Sequence, residues 1–260
     1  MFVKGTIFQL IFLLLSIVVI VVMMRIASKG KKMPELRNFP AINAIKEAIG
    51  RAVETNRPVV YNLGISGLRT EAAPMTLAGL DILSHVAMET ASSGAKLIIP
   101  VCQGENLPIV NDIVFQSYIS HGDVGSFNTN VNIIYMGGSQ WPYVAGVMGL
   151  LRRERPAANI LMGHFWGESL LQTEAGFLSG AIQIGGTAEF SALPYFAATC
   201  DYFLIGEELY AAAAFISRDD VQIATIIAED VIKLSMLIIL VIGILLYFGG
   251  NSLLIDLLRI

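Results

Sequence analysis

Three copies of one pattern occur between Asn159 and Ser217: a short apolar run, a glycine-containing turn with a carboxylate, and a helix-like segment. The copies read NILMGHFWGESLLQTEAGFLSG, AIQIGGTAEFSALPYFAATC and DYFLIGEELYAAAAFIS. In a parallel α/β sheet, a strand, a tight turn and a crossover helix follow one another in this order. This stretch therefore constrains the fold more than any other part of the chain.

The same alternation extends back to Pro58. The predicted strands are Val59–Leu63, Lys96–Val101, Asn132–Met136, Ile160–Gly163, Ile182–Ile184 and Tyr202–Ile205. The predicted helices are Ala41–Glu54, Pro74–Thr90, Asn106–Ser120, Tyr143–Arg153, Glu168–Ser179, Ala188–Thr199 and Glu207–Ser217. Most strands are continuous apolar runs, which is typical of parallel strands covered on both faces. We predict an α/β fold with a Rossmann-like open, mostly parallel sheet flanked by helices, because a closed eight-stranded barrel needs more units.

Two uncharged apolar segments flank this domain. Thr6–Met24 is long enough to cross a bilayer. A signal peptide fits this segment less well, because signal peptides have a shorter apolar region that is followed by an A-x-A cleavage site. Leu234–Phe248 is the second predicted span, continuous with a helix over Asp220–Asp230. Leu253–Ile260 fits either a continuation of this span or a membrane-surface helix.

These segments divide the chain into four parts. We predict an N-terminal transmembrane helix over 1–27, a basic linker with a first helix over 28–57, the α/β domain over 58–219, and a connecting helix with a C-terminal transmembrane helix over 220–260. The chain is therefore expected in the cell membrane as a two-pass protein, with the lipid bilayer as one partner.

Basic residues indicate how the chain is oriented in the membrane. Only Lys4 precedes the first span, whereas a basic cluster follows it: Arg25, Lys29, Lys31, Lys32 and Arg37. The positive-inside tendency therefore places the central domain in the cytoplasm and both termini outside. The alternative is that these residues solvate a linker or contact anionic lipids.

Low charge predicts a protein partner. Charged residues make up 15% of the chain, against about 25% in soluble domains, and they are sparse from Pro58 to Leu151. A face without charge usually meets another protein, so we expect a homo-oligomer or a subunit of a larger membrane complex. The alternative is a monomer whose surface is rich in uncharged polar residues. The net charge of −4, without a basic stripe on the central domain, argues against nucleic acid as a partner.

The carboxyl ends of the strands are where open α/β sheets bind ligands. The candidate ligand-binding residues at these ends are Asn62, Gly64, Gln103, Glu105, Gly137, Gly138, Ser139, His164, Glu168, Gly185, Gly186, Thr187 and Glu207. Glycines allow backbone amides to approach a ligand closely, although a short turn after a strand often needs glycine in any case.

No cofactor is identified by motif. The sequence lacks the motifs of nucleotide-binding sites: no G-x-G-x-x-G follows the first strand, and no G-K-[ST] occurs. Apart from Arg69, the turns after the strands carry almost no basic residues that could neutralise a phosphate. Glutamates 105, 168, 189 and 207 are each expected in the first turn of a helix, where a carboxylate offsets the helix dipole. Together with His164 they could instead bind a metal or move protons, but no H-E-x-x-H or paired-cysteine spacing supports a metal.

Catalytic residues are not predicted either. Ser66 lacks a G-x-S-x-G motif, and nothing marks the thiolate of Cys102 as stabilised. Cys102 and Cys200 are expected to be buried reduced thiols, with a disulfide as the alternative. Trp141 and Trp166 follow strands and are expected to pack, either at the rim of the site or against a neighbouring subunit, although either could stack on a flat ligand.

Two stretches, GHFWGES at Gly163–Ser169 and the run Ile184–Ser217, resemble an uncharacterised family of prokaryotic membrane proteins that is known as a domain of unknown function. The resemblance covers most of the central domain. It implies a two-pass membrane protein with an α/β domain and transfers no catalytic residue.

Two functions remain open. The preferred one is a membrane-anchored, non-enzymatic scaffold or accessory subunit that oligomerises through its α/β domain. The alternative is a membrane-tethered domain that binds a small ligand such as a nucleotide, an anion or a metal, or acts on it, at the strand ends. Transport is a poor third, since neither span carries a charge of the kind that transport paths often use.

Overall fold

The computed structural model describes residues 6–29, 38–122 and 124–249. These residues form two compact units, a central one over 37–217 and a second one that combines the described parts of 1–36 and 218–260. Several predictions lie outside the described residues: those for Lys4, for Lys31, Lys32 and Arg37 in the basic linker, and for the segment after residue 249.

Helices and strands are numbered in chain order. They are α1 (Thr6–Ser28), α2 (Pro40–Thr55), β1 (Val59–Gly64), α3 (Ala73–Ser93), β2 (Leu97–Val101), α4 (Asn106–His121), α5 (Val124–Asn130), β3 (Val131–Tyr135), α6 (Gln140–Glu154), β4 (Ala158–His164), α7 (Ser169–Ser179), β5 (Ile182–Thr187), α8 (Leu193–Thr199), β6 (Tyr202–Ile205), α9 (Glu208–Ser217) and α10 (Asp220–Phe248).

The six strands form one sheet in the order β3-β2-β1-β4-β5-β6. All five strand pairs are parallel, so the predicted Rossmann-like α/β sheet is confirmed. The order reverses between β1 and β4, which is the switch point where doubly wound sheets bind ligands. The register between these two strands also shifts, at Asn62–Gly64.

Helices cover both faces of the sheet because the strands are apolar on both sides. Tyr61, Ile99 and Ile160 pack in one core with α2, α3, α4 and α9. Val60 and Ile98 pack on the other face with α6 and α7, and Leu161 packs there with α8. The helices that follow β1 and β2 therefore lie on one face, and those that follow β3, β4 and β5 lie on the other.

Helix α2 illustrates how the sequence forms these elements. Apolar residues recur at helical spacing and are buried, while the intervening side chains are exposed. Pro40 begins the helix, where its missing N–H costs nothing, and Asn56 ends it in the left-handed conformation with a φ of 50°.

Most boundaries differ from the prediction by one to three residues, and the largest differences are at β5, α8 and α5. Strand β5 continues to Thr187, so Gly185 and Gly186 lie within a strand and not in the turn after it. A side chain at Gly185 would collide with Phe196, and one at Gly186 would lie 2.7 Å from the sulfur of Met162. These glycines bring neighbouring side chains against the strand. Helix α8 accordingly begins at Leu193, and the short helix α5 was not predicted at all.

In the second unit, α1 and α10 pack against each other. Helix α10 runs without a break over 29 residues, as the sequence predicts. The segments Phe8–Ser28 and Asp220–Phe248 are long and apolar enough to cross a membrane, and most of their apolar side chains are exposed. Exposed leucines and valines over this length are what contact with lipid tails requires.

Candidate functional site

Close contact between β1 and β4 creates the site. Gly64 has a φ of 84° and Gly163 a φ of 145°, and each lies against the backbone carbonyl of the opposite strand, His164 and Leu63 respectively. A Cβ atom at either position would collide with that carbonyl, so only glycine fits. The Ile65 amide donates to the His164 carbonyl over 3.0 Å, which holds the loop after β1 against the end of β4.

This loop brings Ser66 to His164. The Ser66 Oγ lies 2.6 Å from Nδ1 of His164, and Nε2 of the same ring lies 3.5 Å from Oε2 of Glu189. Ser66 and His164 are buried, whereas Glu189 is partly exposed. The ring of Trp166 packs nearly perpendicular to the imidazole, with ring centroids 5.3 Å apart. Residues from the ends of β1, β4 and β5 thus form one chain of polar contacts.

Hydrogen-bond chemistry fixes the direction of this chain. A carboxylate only accepts, so Nε2–H of His164 donates to Glu189, and Nδ1 then accepts from the Ser66 hydroxyl. Burial lowers the pKa of His164 below its usual value, while Glu189 and Glu168 oppose this shift. The folded state therefore disfavours the imidazolium, and the neutral ring can act as a base.

Glu189 is itself held in place. Oγ1 of Thr187, at the end of β5, accepts a hydrogen bond from the Glu189 amide over 3.2 Å. The other carboxylate oxygen of Glu189, Oε1, accepts from the amide and the hydroxyl of Ser191 at 3.3 and 3.1 Å. Oε2 is left to face the histidine.

Glu168 is a buried carboxylate beside this chain. Its two oxygens accept from the Trp166 amide at 2.9 Å and from Nε2 of Gln140 at 2.6 Å. Gln140 is the first residue of α6, so the predicted residues Gly137, Gly138 and Ser139, which immediately precede it, belong to a turn that is tied to the end of β4.

Residues after β2 support the loop that carries Ser66. Gln103 donates to the Ile65 carbonyl at 2.8 Å, and Nδ2 of Asn106 donates to the Ser66 carbonyl at 3.1 Å. Oδ1 of Asn106 is buried without a hydrogen-bond partner within the described residues. Glu105 forms an ion pair with Arg69 at 3.2 Å and fills the space above Gly67.

The four glutamates were expected in the first turn of a helix, but each of them precedes its helix. Glu105 and Glu168 occupy the N-cap positions of α4 and α7. The carboxylate of Glu105 accepts from the Arg69 amide in the loop after β1, and that of Glu168 accepts from the Trp166 amide two residues before it. Glu189 precedes α8 by several residues, and Glu207 immediately precedes α9. The carboxylates of Glu105 and Glu168 therefore do not cap their own helices. That of Glu105 links the loops after β1 and β2, and that of Glu168 links the end of β4 to the start of α6.

Asn62 lies in a different environment. It is wholly buried, and its Nδ2 donates to Oδ1 of Asn159 over 2.8 Å. Asn159 donates in turn to Oε1 of Gln183 over 3.1 Å, and Gln183 donates to the carbonyls of Thr173 and Thr199. This amide chain crosses β1, β4 and β5 beneath α7, inside the protein and not at the strand ends.

The sheet thus brings together some of the predicted residues. Gln103, Glu105, His164 and Glu168 lie around the β1–β4 switch point, and Gly64 shapes it. Thr187 joins them by holding Glu189. Gly185 and Gly186 are packing positions in β5, and Glu207 is exposed at the end of β6, at one edge of the sheet.

Sequence reasoning did not connect Ser66 with His164 or Gln140 with Glu168, and it grouped Glu189 with His164 only as one of four glutamates that could bind a metal or move protons. Ser66 and His164 are 98 residues apart, and no local motif signals a contact of that kind. The available signal was the strand order, since a reversal between β1 and β4 places the loops after these strands side by side.

The burial of the two cysteines and the two tryptophans tests the predictions made for them. Both cysteines are free thiols, Cys102 buried and Cys200 partly buried. Burial raises the pKa of Cys102 to about 11 and that of Cys200 to about 12, which argues against a nucleophilic thiolate. Trp141 and Trp166 are 64% and 48% exposed, so both lie at the surface, and Trp166 packs beside His164.

The electrostatics of the site disfavour anions. Glu168 and Glu189 bring negative charge, and Arg69 is already paired with Glu105. Carboxylates also occupy the starts of α4 and α7, where a phosphate would bind. Among the described residues, no group of three histidine, cysteine or acidic side chains could hold a metal ion. The site therefore fits an uncharged or cationic small molecule.

The sequence matches a known family over nearly its whole length. The family is described as Domain of unknown function (DUF6754), and the match covers residues 1–256. Neither a curated protein nor a solved structure matches the chain.

Proposed function

We propose that this chain, which belongs to the DUF6754 family, is a membrane-anchored scaffold or accessory subunit whose α/β domains associate with one another. The observation that carries the proposal is an apolar surface on one helix layer of the central unit. We call it the α6–α8 face and define it by the outward residues of three neighbouring helices: Trp141, Pro142, Ala145 and Gly149 on α6, Leu170, Glu174, Phe177 and Leu178 on α7, and Pro194, Ala197 and Ala198 on α8.

Large apolar side chains dominate the middle of this face. Leu170, Phe177 and Leu178 lie on one side of α7 because they are spaced by seven and eight residues. Phe177 is 71% exposed and Leu178 68%. Apart from Arg152, Arg153 and Glu154 in the last turn of α6, Glu174 is the one charged residue of the described helices α6, α7 and α8. Apolar surface of this extent usually marks a contact with another protein.

The opposite helix layer provides a comparison within the same domain. The outward residues of α2 include Lys46, Glu47, Arg51 and Glu54, which is the charged surface expected of a solvated helix. Helix α2 is therefore more highly charged than the α6–α8 face, although α3 and α4, which share its layer, also carry few charges. The contrast with α2 favours a specific contact over a generally polar, uncharged surface.

A second copy of the chain is the proposed occupant. The α6–α8 face carries Glu174 in its middle and Arg152 and Arg153 at the end of α6, so it is complementary in charge to itself. Two-fold pairing places the same surface on both partners and would set α7 of one copy against α6 of the other. Two membrane anchors would also confine the copies to one plane and raise their effective concentration.

The size of the particle in mild detergent tests this proposal. Phe177→Glu combined with Leu178→Glu should shift the mass of the full chain from an oligomer to a monomer, because two charges would be buried at the contact. The matched control is Leu77→Glu on α3, which is similarly exposed on the opposite layer and should leave the oligomer intact. A monomeric parent chain, or an oligomer that tolerates the double substitution, would contradict the proposal.

We also propose that α1 and α10 both cross the membrane and that the central unit lies in the cytoplasm. The support is the length and exposed apolar surface of the two helices, together with the basic residues that follow α1. A thiol introduced by Ser120→Cys, at an exposed position of α4, should react with a membrane-impermeant maleimide only after cell lysis. Labelling in intact cells would reverse the proposed orientation.

A second candidate function, small-molecule binding at the strand ends, is favoured by the polar chain Ser66–His164–Glu189. Buried titratable groups at a switch point are common in binding sites. A thermal-shift screen of uncharged and cationic small molecules, with nucleotides and divalent metals as comparison, tests this function. His164→Ala and Glu168→Ala should each abolish a shift seen with the parent chain. Equal shifts in parent and variants would place the ligand elsewhere.

A further inference from the structure

We propose that Ser66 is a nucleophile for acyl transfer, with His164 as its general base and uncharged carboxylic esters as the substrate class. The inference rests on the second candidate function, because it assigns a reaction to the same strand-end site. It goes beyond ligand binding by giving each member of the polar chain a separate chemical role.

The hydroxyl of Ser66 contacts a distant side chain, unlike several other serines in the described part of the chain. Serines 92, 117, 120 and 179 donate to backbone carbonyls of their own helices, three or four residues back. Such bonds are the ordinary local contacts of serine in a helix. Ser66 Oγ instead lies 2.6 Å from a ring nitrogen that is 98 residues away. A serine and a histidine within hydrogen-bond distance, with the histidine oriented by a third group, form the arrangement that activates a hydroxyl.

Glu189 is the positioning residue. Its carboxylate accepts from Nε2–H, which keeps the lone pair of His164 on Nδ1, toward Ser66. It also stabilises the imidazolium that forms once Nδ1 takes a proton. The hydroxyl contacts Nδ1 and the carboxylate contacts Nε2. This assignment of the two nitrogens permits general-base catalysis, because either ring nitrogen can accept a proton while the other donates a hydrogen bond.

The reaction follows from these contacts. As Ser66 Oγ bonds to the ester carbonyl carbon, its proton moves to Nδ1 of His164. The bond from that carbon to the alcohol oxygen then breaks, and the proton on Nδ1 passes to the departing oxygen. Water attacks the acyl carbon next and gives a proton to Nδ1, and Ser66 Oγ leaves with that proton. The net change is hydrolysis of one ester to an acid and an alcohol.

The surroundings select the substrate class. Glu168 and Glu189 repel carboxylates and phosphates, whereas an ester without charge avoids this repulsion. Trp166 packs beside His164 and remains half-exposed, and Phe190, next to Glu189, is 86% exposed. These rings offer apolar contact to the acyl or the alcohol part of an ester.

An alkyl fluorophosphonate tests the proposal directly on the full chain in mild detergent. Ser66 Oγ should displace fluoride and form a bond to phosphorus, and peptide mass mapping should place the label on Ser66. Ser66→Ala should not be labelled, and Ser120→Ala, which removes an exposed serine of α4, should be labelled like the parent. Label on other serines, or equal labelling of Ser66→Ala, would overturn the inference.

The partners of Ser66 give a second readout. His164→Gln should slow the labelling at least about 100-fold, because general-base catalysis contributes that much. Glu189→Gln should move the midpoint of the pH–rate profile to lower pH, since the histidine loses the carboxylate that favours its protonation. A rate that falls without any change of this midpoint would assign Glu189 a purely structural role and overturn its part of the inference.

A third variant keeps the test decisive if Ser66→Ala fails to fold. In Ser66→Cys, His164 should lower the pKa of the new thiol, so iodoacetamide should alkylate it below pH 7. The two native thiols give little background because burial raises the pKa of Cys102 to about 11 and that of Cys200 to about 12. A Ser66→Cys thiol that reacts only above pH 8 would overturn the inference. Ligand shifts that persist without fluorophosphonate labelling would overturn it too, and would leave the binding function standing.

Discussion

Gly64 and His164 face each other across the β1–β4 boundary, where the missing side chain of Gly64 leaves room for the carbonyl oxygen of His164. The register of the two strands shifts at this point, and the Ile65 amide bonds to the same carbonyl. Because the next residue is Ser66, this backbone contact sets the distance between the serine hydroxyl and the imidazole. The packing of two strands therefore determines the geometry of the candidate site.

Gly64→Ala should destabilise the central unit by more than about 2 kcal/mol, because it combines a left-handed backbone with a collision. The free energy of unfolding, measured by urea denaturation in detergent, gives the effect. Gly50→Ala is the matched control. It lies in α2 with open space around it, so alanine should stabilise the helix by roughly 0.5–1 kcal/mol. Equal effects of the two substitutions would contradict the proposed close contact.

The amide chain beneath α7 predicts a large effect of Asn159→Ala. The substitution leaves Nδ2 of Asn62 and Oε1 of Gln183 buried without their partner, at a cost of about 1–3 kcal/mol for each group. We therefore expect a loss of about 3 kcal/mol or more in the free energy of unfolding. Asn111→Ala on the exposed side of α4 should change it by less than about 0.5 kcal/mol. A loss below 1 kcal/mol for Asn159→Ala would show that the chain contributes little.

Acidification should destabilise the fold through its histidines. Burial lowers the folded-state pKa of both His164 and His85. Below pH about 6.5 the unfolded chain takes up protons that the folded chain resists, so this stabilisation is present above the unfolded pKa and is lost as the pH falls. The melting temperature should therefore decrease from pH 7 to pH 5.

Substitution separates the contributions of the histidines. His164→Gln should flatten the pH dependence in part, and the remaining slope should come from His85. Asn111→Ala, at an exposed position of α4, should leave the slope unchanged. A profile of His164→Gln that coincides with that of the parent chain would contradict the assignment.

Both native cysteines should resist alkylation in the folded chain. Burial raises the pKa of Cys102 to about 11 and that of Cys200 to about 12, so thiolate is scarce at pH 7.5. Iodoacetamide should label neither within minutes, whereas both should react in denaturant. Ser120→Cys supplies an exposed control thiol that should react in the folded state. Rapid labelling of Cys102 under native conditions would indicate that the strand end opens.

Most of the fold was predictable because it depends on local patterns. The six apolar runs became six parallel strands, and the helix over 220–230 continues into the apolar segment as expected. The prediction failed at β5, where Gly185 and Gly186 resembled a turn. Their strand conformation is explained by contacts with Phe196 and Met162, which no local pattern reveals.

The candidate site was predictable only in location. The sequence placed His164 and Glu168 at strand ends, but it placed Asn62 there as well, and that side chain is buried in the amide chain with Asn159. It also gave no reason to connect Ser66 with His164. Which strand ends are neighbours depends on the strand order, and which side chains meet depends on register and close backbone contacts.

The sequence by itself determined the parallel α/β class, the two long apolar helices and the low charge of the domain, because apolar periodicity and composition act within short stretches of chain. Tertiary structure alone decided that Ser66, His164 and Glu189 meet and that large apolar side chains are exposed together on the α6–α8 face. The physical reason is that both features depend on packing between strands and helices that lie far apart along the chain.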